Sequence, residues 1–494
     1  MNDDEHVPHP LVRLLGKPTD ELTCDDLVEA VRRLGLRQVN LRYVGGDGRL
    51  KTLAFVPSSR EHLVEVLTHG ERVDGSSVFE GTATEDSDAY IVPRYRTAFV
   101  NPFGEEPSLD LLCSFYDRDG RPLAHAREQL VRRAAEALTA ETGLVLEAFG
   151  ELEYYLVGDP DPLHPVEAER GYQESPPFSK GQAVREQALH HLAAMGVEVK
   201  YGHGEVGNVL EAERQLVQHE IELRPVPVEQ AADALVLAKW VVREVAHAHG
   251  LEVTFAPSIG VDGAGNGLHV HTRLVREGSN VLVDDDGALT ETALRLVAGY
   301  LGAAPALTAL GCTVPTSYLR FADGEESPEL ICWGETDRTG LVRVPLAWAG
   351  DVLAPMQEHA NGDRRPDVPA VAPHPQTVEL RLGDGSADVH LLLAGLAVAA
   401  RRGLRALDGA AEAERLRADR VGEDAATLPS SVRRSAAALE DARAWFEEDG
   451  VFPPAVLDAV ITRLRELGER VSMKKLAKDD KRRADLVREF WYVG

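Results

Sequence analysis

A chain of 494 residues is more than one small core organises, so two or more cores are expected. With 44% hydrophobic and 27% charged residues it has the composition of an ordinary globular protein. Its net charge of −28, from 53 Lys+Arg against 81 Asp+Glu, argues against non-specific nucleic-acid binding, which needs a basic surface to displace counterions.

Residues 1–20 begin polar and acidic, have no apolar leader, and read as a loose arm. Apolar positions then recur at helical spacing from Asp25 to Leu34, with Thr23 as N-cap. Gln38–Val44 and Lys51–Val56 alternate as strands around a Gly46-Asp47-Gly48 turn. A short helix near Ser59–Thr68 and a strand near Ala89–Pro93 complete a small α+β unit over 21–118. The turn-rich run Tyr116–Pro122 marks its boundary with a second unit, 119–494. That unit opens with a helix over His125–Thr142 and strands Leu144–Phe149 and Glu151–Val157. A long helix over Glu229–His249 leads to strands Glu252–Ala256 and His269–Leu274. The expected architecture is a large α+β domain with a curved, mostly antiparallel sheet flanked by helices. From Leu428 the tail reads as helical, and its lysines and arginines alternate with acids, as on a solvated helix face.

Cys24, Cys113, Cys312 and Cys332 form no CxxC pair, which suggests buried thiols in a reducing cytoplasm. No stretch approaches about eighteen consecutive apolar residues, so no membrane span is expected.

Glu151 and Glu153 are two apart in an otherwise apolar strand, so both carboxylates share a face. Two like charges held near a core are costly unless a cation lies between them. Oxygen-rich sites without thiolates suit Mg²⁺ or Mn²⁺ rather than zinc. His269-x-His271 repeats the spacing behind Gly265-Asn266-Gly267, where the backbone can approach a ligand closely. Gly260–Gly267 and Gly383–Gly385 carry no GxxxxGK[ST] and no convincing dinucleotide fingerprint. Arg320, Arg338, Arg343 and Arg381 offer bidentate forks for carboxylate and phosphate oxygens.

The order of these pieces is more specific than any one of them. Asp74-Gly75-Ser76-Ser77 with Asp88 fourteen residues on, Glu151-x-Glu153, Glu205, Glu220, His269-x-His271 and Glu379-Leu380-Arg381 follow one another along the chain. So do Ser317-Tyr318-Leu319-Arg320, Glu326-Ser327-Pro328, Asp337-Arg338-Thr339 and Arg343-Val344-Pro345. Together they resemble the glutamine synthetase family over most of the chain. The resemblance implies a β-grasp-like N-terminal domain, a two-metal site using Mg²⁺ or Mn²⁺, ATP as co-substrate, and ligation of ammonia to glutamate through γ-glutamyl phosphate. An organic amine or polyamine in place of ammonia is the nearest alternative, and a non-catalytic ring-forming homologue a further one.

Carried over residue by residue, the resemblance implies that Glu153, Glu205 and Glu220 hold one metal, and Glu151, His269 and Glu379 the second. It gives Gly265, Arg320 and Arg381 to the substrate. His271, Arg338 and Arg343 go to the nucleotide and the transferring phosphoryl group. Glu326 would close a flap, and Asp74 with Asp88 would take a proton from ammonium. In the family the small domain completes a neighbouring subunit's site, implying a ring, commonly two stacked hexamers.

The match departs in places. Glu205 and Glu220 are fifteen apart, wider than the family places them, and Glu213 is the alternative ligand. Ala264 stands where an asparagine usually precedes Gly265, Thr377 where many members place an arginine, and Arg273 where a small polar residue is usual. No tyrosine lies between Trp348 and Trp491, so the adenylylation tyrosine of many bacterial relatives is missing.

Overall fold

The computed structural model describes residues 8–79, 87–211, 213–260, 263–323, 330–347, 353–362, 375–422, 425–471, 473–476 and 479–494. Glu326 lies outside them.

In the small domain, helix Cys24–Leu34 starts at a capping box: Thr23 Oγ1 accepts from Asp26 N–H, and the Asp26 carboxylate accepts from Thr23 N–H. Gly35 ends it in the left-handed conformation (φ 64°). The strands are β1 (Gln38–Val44), β2 (Leu50–Phe55), β3 (Glu71–Asp74), β4 (Asp88–Pro93), β5 (Phe99–Val100) and β6 (Ser108–Tyr116). They form one sheet in the order β2-β1-β6-β4-β3, with β5 on β6; β1 and β6 run parallel and the other pairs antiparallel. Leu27, Ala30, Leu41, Leu63, Leu111 and Phe115 fill a core separate from that of the large domain.

The arm expected over 1–20 is not loose where it is described. Pro10–Leu15 is a helix capped by His9, and Leu11 is fully buried in the small-domain core. Leu11, Leu14 and Leu15 all pack on that core, but a helix of six residues is too short a periodic signal to read.

The large domain's strands are β7 (Val145–Gly158), β8 (Val199–Leu210), β9 (Gln215–Leu223), β10 (Val226–Pro227), β11 (Glu252–Thr254), β12 (Leu268–Arg276), β13 (Ser279–Asn280), β14 (Trp333–Glu335), β15 (Val342–Val344) and β16 (Val378–Leu380). Their main path is β14-β15-β16-β12-β7-β9-β8, antiparallel except for β14 with β15. The two strands expected over 144–157 are one, running unbroken through Gly150. A side chain there would come within 2.7 Å of Leu235 Cδ2, so glycine lets helix Val228–Ala248 lie close against the sheet.

Behind the sheet, helices Arg127–Thr142, Val228–Ala248, Glu291–Gly311 and Val389–Arg405 share one large core. Against the expectation of no span, Glu291–Gly311 is long and apolar enough to cross a membrane by length and composition. Here it is mostly buried, as a core helix packed on Val389–Arg405. The domains are joined by a bidentate ion pair, Arg94 to Asp233 at 2.7 and 2.9 Å, and by the Arg42 guanidinium 3.9 Å over the Trp240 ring. All four cysteines are free, three of them buried.

Candidate active site

Strand register builds the site. Glu151 on β7 sits opposite His269 on β12 and Glu222 on β9; Glu153 sits opposite Glu220, which in turn faces His203 on β8. On the other side, His271 faces Glu379 on β16, and Glu379 faces Arg343 on β15. Side chains two apart share a face, so these rows form one polar patch on the sheet. Directly opposed like charges destabilise a sheet unless something neutralises them.

The first cluster is Glu151, His269 and Glu379, whose ligand atoms all lie within 4.8 Å of one another. Glu151 Oε2 lies 2.9 Å from His269 Nδ1, and Glu151 Oε1 lies 2.9 Å from His271 Nε2. Glu379 is wholly buried and accepts from Arg343 Nη1 at 2.8 Å and Arg381 Nη1 at 2.9 Å. Burial pushes the Glu151 carboxyl up, but His271 and His269 together hold it well below the usual range. Burial and then the Arg381 charge lower His269, favouring the neutral imidazole that can ligate.

The second cluster is His203, Glu205 and Glu220, again within 4.8 Å. His203 Nδ1 is 3.6 Å from Glu205 and its Nε2 3.6 Å from Glu220. Burial, followed by the charges of Glu151, Glu153, Glu205 and Glu222, pushes the Glu220 carboxyl well above the usual range. Glu205 stands beside Glu220; Glu213 is exposed and belongs to neither cluster. Glu153 is Glu220's cross-strand partner, with Oε2 accepting from Gly267 N–H (2.7 Å) and Gln218 Nε2 (3.1 Å). A Cβ at Gly267 would lie 2.9 Å from His269 Nε2 and 3.0 Å from Glu153 Oε1, so a larger residue there would displace those side chains. Buried carboxylate oxygens and imidazole nitrogens, opposed across strands with no thiolate in either cluster, fit Mg²⁺ or Mn²⁺.

The arginines divide into buried and exposed. Arg320, on helix Ser317–Asp323, is buried and donates through Nη2 to Leu382 O and Gly383 O, while its Nε has no hydrogen-bond partner. Arg343 Nε is likewise buried and unpartnered. Such orphaned guanidinium N–H groups suit an anion. Arg338 is exposed on the turn between β14 and β15. Gly265 contributes its carbonyl, which accepts from Gln218 Nε2 at 3.0 Å.

Asp74 and Asp88 are placed apart from this patch. They face each other across β3 and β4 in the small domain, both exposed. Asp74 caps the short helix Gly75–Val78, accepting from Ser76 N–H and from the Ser76 and Ser77 hydroxyls; those bonds hold its carboxyl far below the usual range.

Two residues of the patch were not singled out as ligands from sequence, His203 and Glu222. Glu222 follows Glu220 by two on β9, the same spacing that flagged Glu151 and Glu153. Of the departures, Arg273 is taken up by a 2.6 Å ion pair with Glu147, and Thr377 Oγ1 lies 3.0 Å from His271 Nδ1.

The catalytic-domain model of glutamine synthetase matches residues 124–475, and that of its β-grasp domain residues 35–118. The chain belongs to the glutamine synthetase family. The glutamine synthetase of Thermus thermophilus is 30% identical over 390 residues, spanning 77% of this chain and 79% of that protein. That of Methylococcus capsulatus is 26% identical over 495 residues, spanning 90% and 97%. Among solved structures, the cryo-EM glutamine synthetase of Plasmodium falciparum superposes with a TM-score of 0.75 at 17% identity, covering 94% of this chain and 99% of that one. A ligand-free GmaS gives 0.69 at 20% identity, covering 92% and 98%. At these identities the structures show a shared fold, a β-grasp domain on a large curled-sheet domain.

Proposed function

We propose that this glutamine synthetase relative transfers the γ-phosphoryl group of ATP to the γ-carboxylate of glutamate and passes the acyl group to ammonia, giving glutamine, ADP and phosphate. The observation that carries this reading is the buried Glu151–His269–Glu379 cluster with Arg343 and Arg381 closing on Glu379 from either side. Carboxylates and guanidiniums interleaved at hydrogen-bond distance suit a reaction in which catalysis is mostly positioning and charge neutralisation.

Bound Mg²⁺ or Mn²⁺ supplies that neutralisation at the phosphates and the substrate carboxylate. Glu151, His269 and Glu379 would hold one ion, and Glu153, Glu205 and Glu220 the other. Arg320 holds the substrate carboxylate and Arg381 the reacting end. A γ-carboxylate oxygen attacks the γ-phosphorus, the bond to the ADP oxygen breaks, and Arg338 and Arg343 stabilise the equatorial oxygens. Gly265 lines the substrate pocket, His271 faces the phosphates, and Glu326 closes over the acyl phosphate to exclude water. Asp74, beside Asp88, takes a proton from ammonium; the ammonia nitrogen then attacks the acyl carbon, the acyl carbon–oxygen bond breaks, and the nitrogen's surplus proton leaves with the phosphate. Because both aspartates are exposed on the small domain, we assign them to a neighbouring subunit's site in a ring of this chain, in the cytoplasm.

An organic amine as acceptor is a second reading, supported by the aromatic setting of His203. Tyr172 and Tyr201 lie with ring centroids 5.3 and 5.8 Å from it, and Tyr172 is 52% exposed. Phosphate release from ATP with glutamate and Mg²⁺ or Mn²⁺, scanned over ammonium, small amines and polyamines, decides between them. Saturation by ammonium supports the glutamine reading, turnover only with an organic amine replaces it with the second, and silence with every acceptor overturns both.

A further inference from the structure

We propose that a cavity at the seam between the two domains is a binding site for a small carboxylate with an apolar body, separate from the catalytic patch. The cavity holds about 530 Å³, and none of the patch residues lines it. The small domain contributes the β1–β2 turn Gly46–Arg49 and Phe79; the large domain contributes Leu310, Val314 and Leu391. Helix Pro454–Arg470 adds Val456, Val460 and Leu464. Protein interiors leave few voids larger than a water molecule, so a space of this size where three parts of the chain meet is more than a packing remnant. Largely apolar cavities of about 300–1,000 Å³ at domain interfaces, with a few polar groups to fix orientation, are where small molecules bind.

Charge selects the polar end of the ligand. Of the charged residues lining the cavity, Arg127 and Asp388 neutralise each other at 2.6 Å, and Asp47 pairs with Lys51 at 3.1 Å. Arg243 bonds to the Gly494 oxygen. Arg49 donates to a backbone carbonyl, that of Tyr492, at 2.9 Å, and Arg463 forms no ion pair among the described residues. Both are exposed, so two guanidiniums without a carboxylate stand at the rim of the cavity, in a chain whose net charge is −28. A guanidinium fork matches a carboxylate. His125 lines the same cavity, with the Phe79 ring edge-on at 4.6 Å and its Nε2 buried without a hydrogen-bond partner.

A ligand here touches segments that reach both halves of the candidate active site. Gly46 N–H donates to Val78 O at 2.9 Å, and Val78 ends the helix that Asp74 caps. Ser386 and Asp388 follow the Leu382 and Gly383 carbonyls that hold Arg320. Occupancy therefore ties the small domain to the large one and stabilises the folded chain.

The test titrates octanoate into the full-length chain by calorimetry, with octylamine and 1-octanol as its charge-reversed and uncharged counterparts. The site predicts one octanoate per chain, bound at least about tenfold more tightly than either counterpart. Ala459 is exposed and lines the cavity, so Ala459→Trp plugs it from the surface, and Arg463→Glu reverses the charge at its rim. Each is expected to weaken octanoate at least about tenfold, with circular dichroism confirming that the variant folds. A wild-type chain that binds no octanoate overturns the site, as does equal affinity in wild type and Ala459→Trp, which puts the ligand elsewhere. Octylamine or octanol bound as tightly as octanoate overturns the carboxylate. If Ala459→Trp does not fold, unchanged affinity in Arg463→Glu overturns the proposal instead.

Discussion

At the scale of single residues, the protons on the carboxylate patch couple the site to pH. Glu220 has its carboxyl raised well above the usual range by burial and then by four neighbouring carboxylates. A raised folded-state value means that the metal-free folded chain holds this proton more tightly than the unfolded chain does. Its stabilising contribution is complete below the unfolded carboxylate range, about pH 4.3, and is lost as pH rises through the folded value. A divalent cation takes the proton's place and removes that loss. The Tm of metal-stripped protein is therefore expected to fall further behind that of Mn²⁺-loaded protein as pH rises above the unfolded carboxylate range. Calorimetry on both forms checks this, and a gap that stays constant or narrows contradicts it. Glu151 has the opposite sign: held low by the two histidines, it contributes stability that disappears as pH falls through its depressed value.

At the scale of elements, strands carry the site and an ion pair fixes the small domain upon it. Arg94 and Asp233 are paired through two bonds, with side chains only 18% and 8% exposed. Removing one partner of such a pair strands the other charge, at about 3–5 kcal/mol. Asp233→Ala is thus expected to lower unfolding stability by about that amount, measured in denaturant; a loss under about 1 kcal/mol would mean the pair is solvated. The pairing of Glu151 with Glu153 on one face was legible in sequence because strand periodicity is local. So were the Thr23 cap and the β1–β2 hairpin, whose signals lie within a few residues. Which strands become neighbours was not legible: β12 packs between β7 and β16, far apart in the chain, and only register shows that His271 meets Glu379. β16 has three residues, too few for a periodic signal. The wide spacing of Glu205 and Glu220 left Glu213 open, and the pairing of β8 with β9 through a register shift brings Glu205 alongside Glu220.

At the scale of the molecule, the exposed Asp74–Asp88 pair and the buried carboxylate patch belong to different domains of one chain, and a ring would bring each to a neighbour. That arrangement predicts complementation. Asp74→Ala chains have intact sheets and Glu153→Ala chains intact small domains, so each variant alone is expected to lose turnover. Randomly mixed rings would recover roughly a quarter of wild-type activity, because about one interface in four joins the two intact halves. Activity no greater than that of the separate variants would place Asp74 in its own chain's site or outside any site. The claim beneath all of this is that a carboxylate is activated by phosphoryl transfer. Glutamate labelled with ¹⁸O in its γ-carboxylate, incubated with ATP, Mn²⁺ and the acceptor that supports turnover, reports on that step through the released phosphate. The account predicts phosphate carrying one oxygen from glutamate; unlabelled phosphate released in step with amide formation would contradict it.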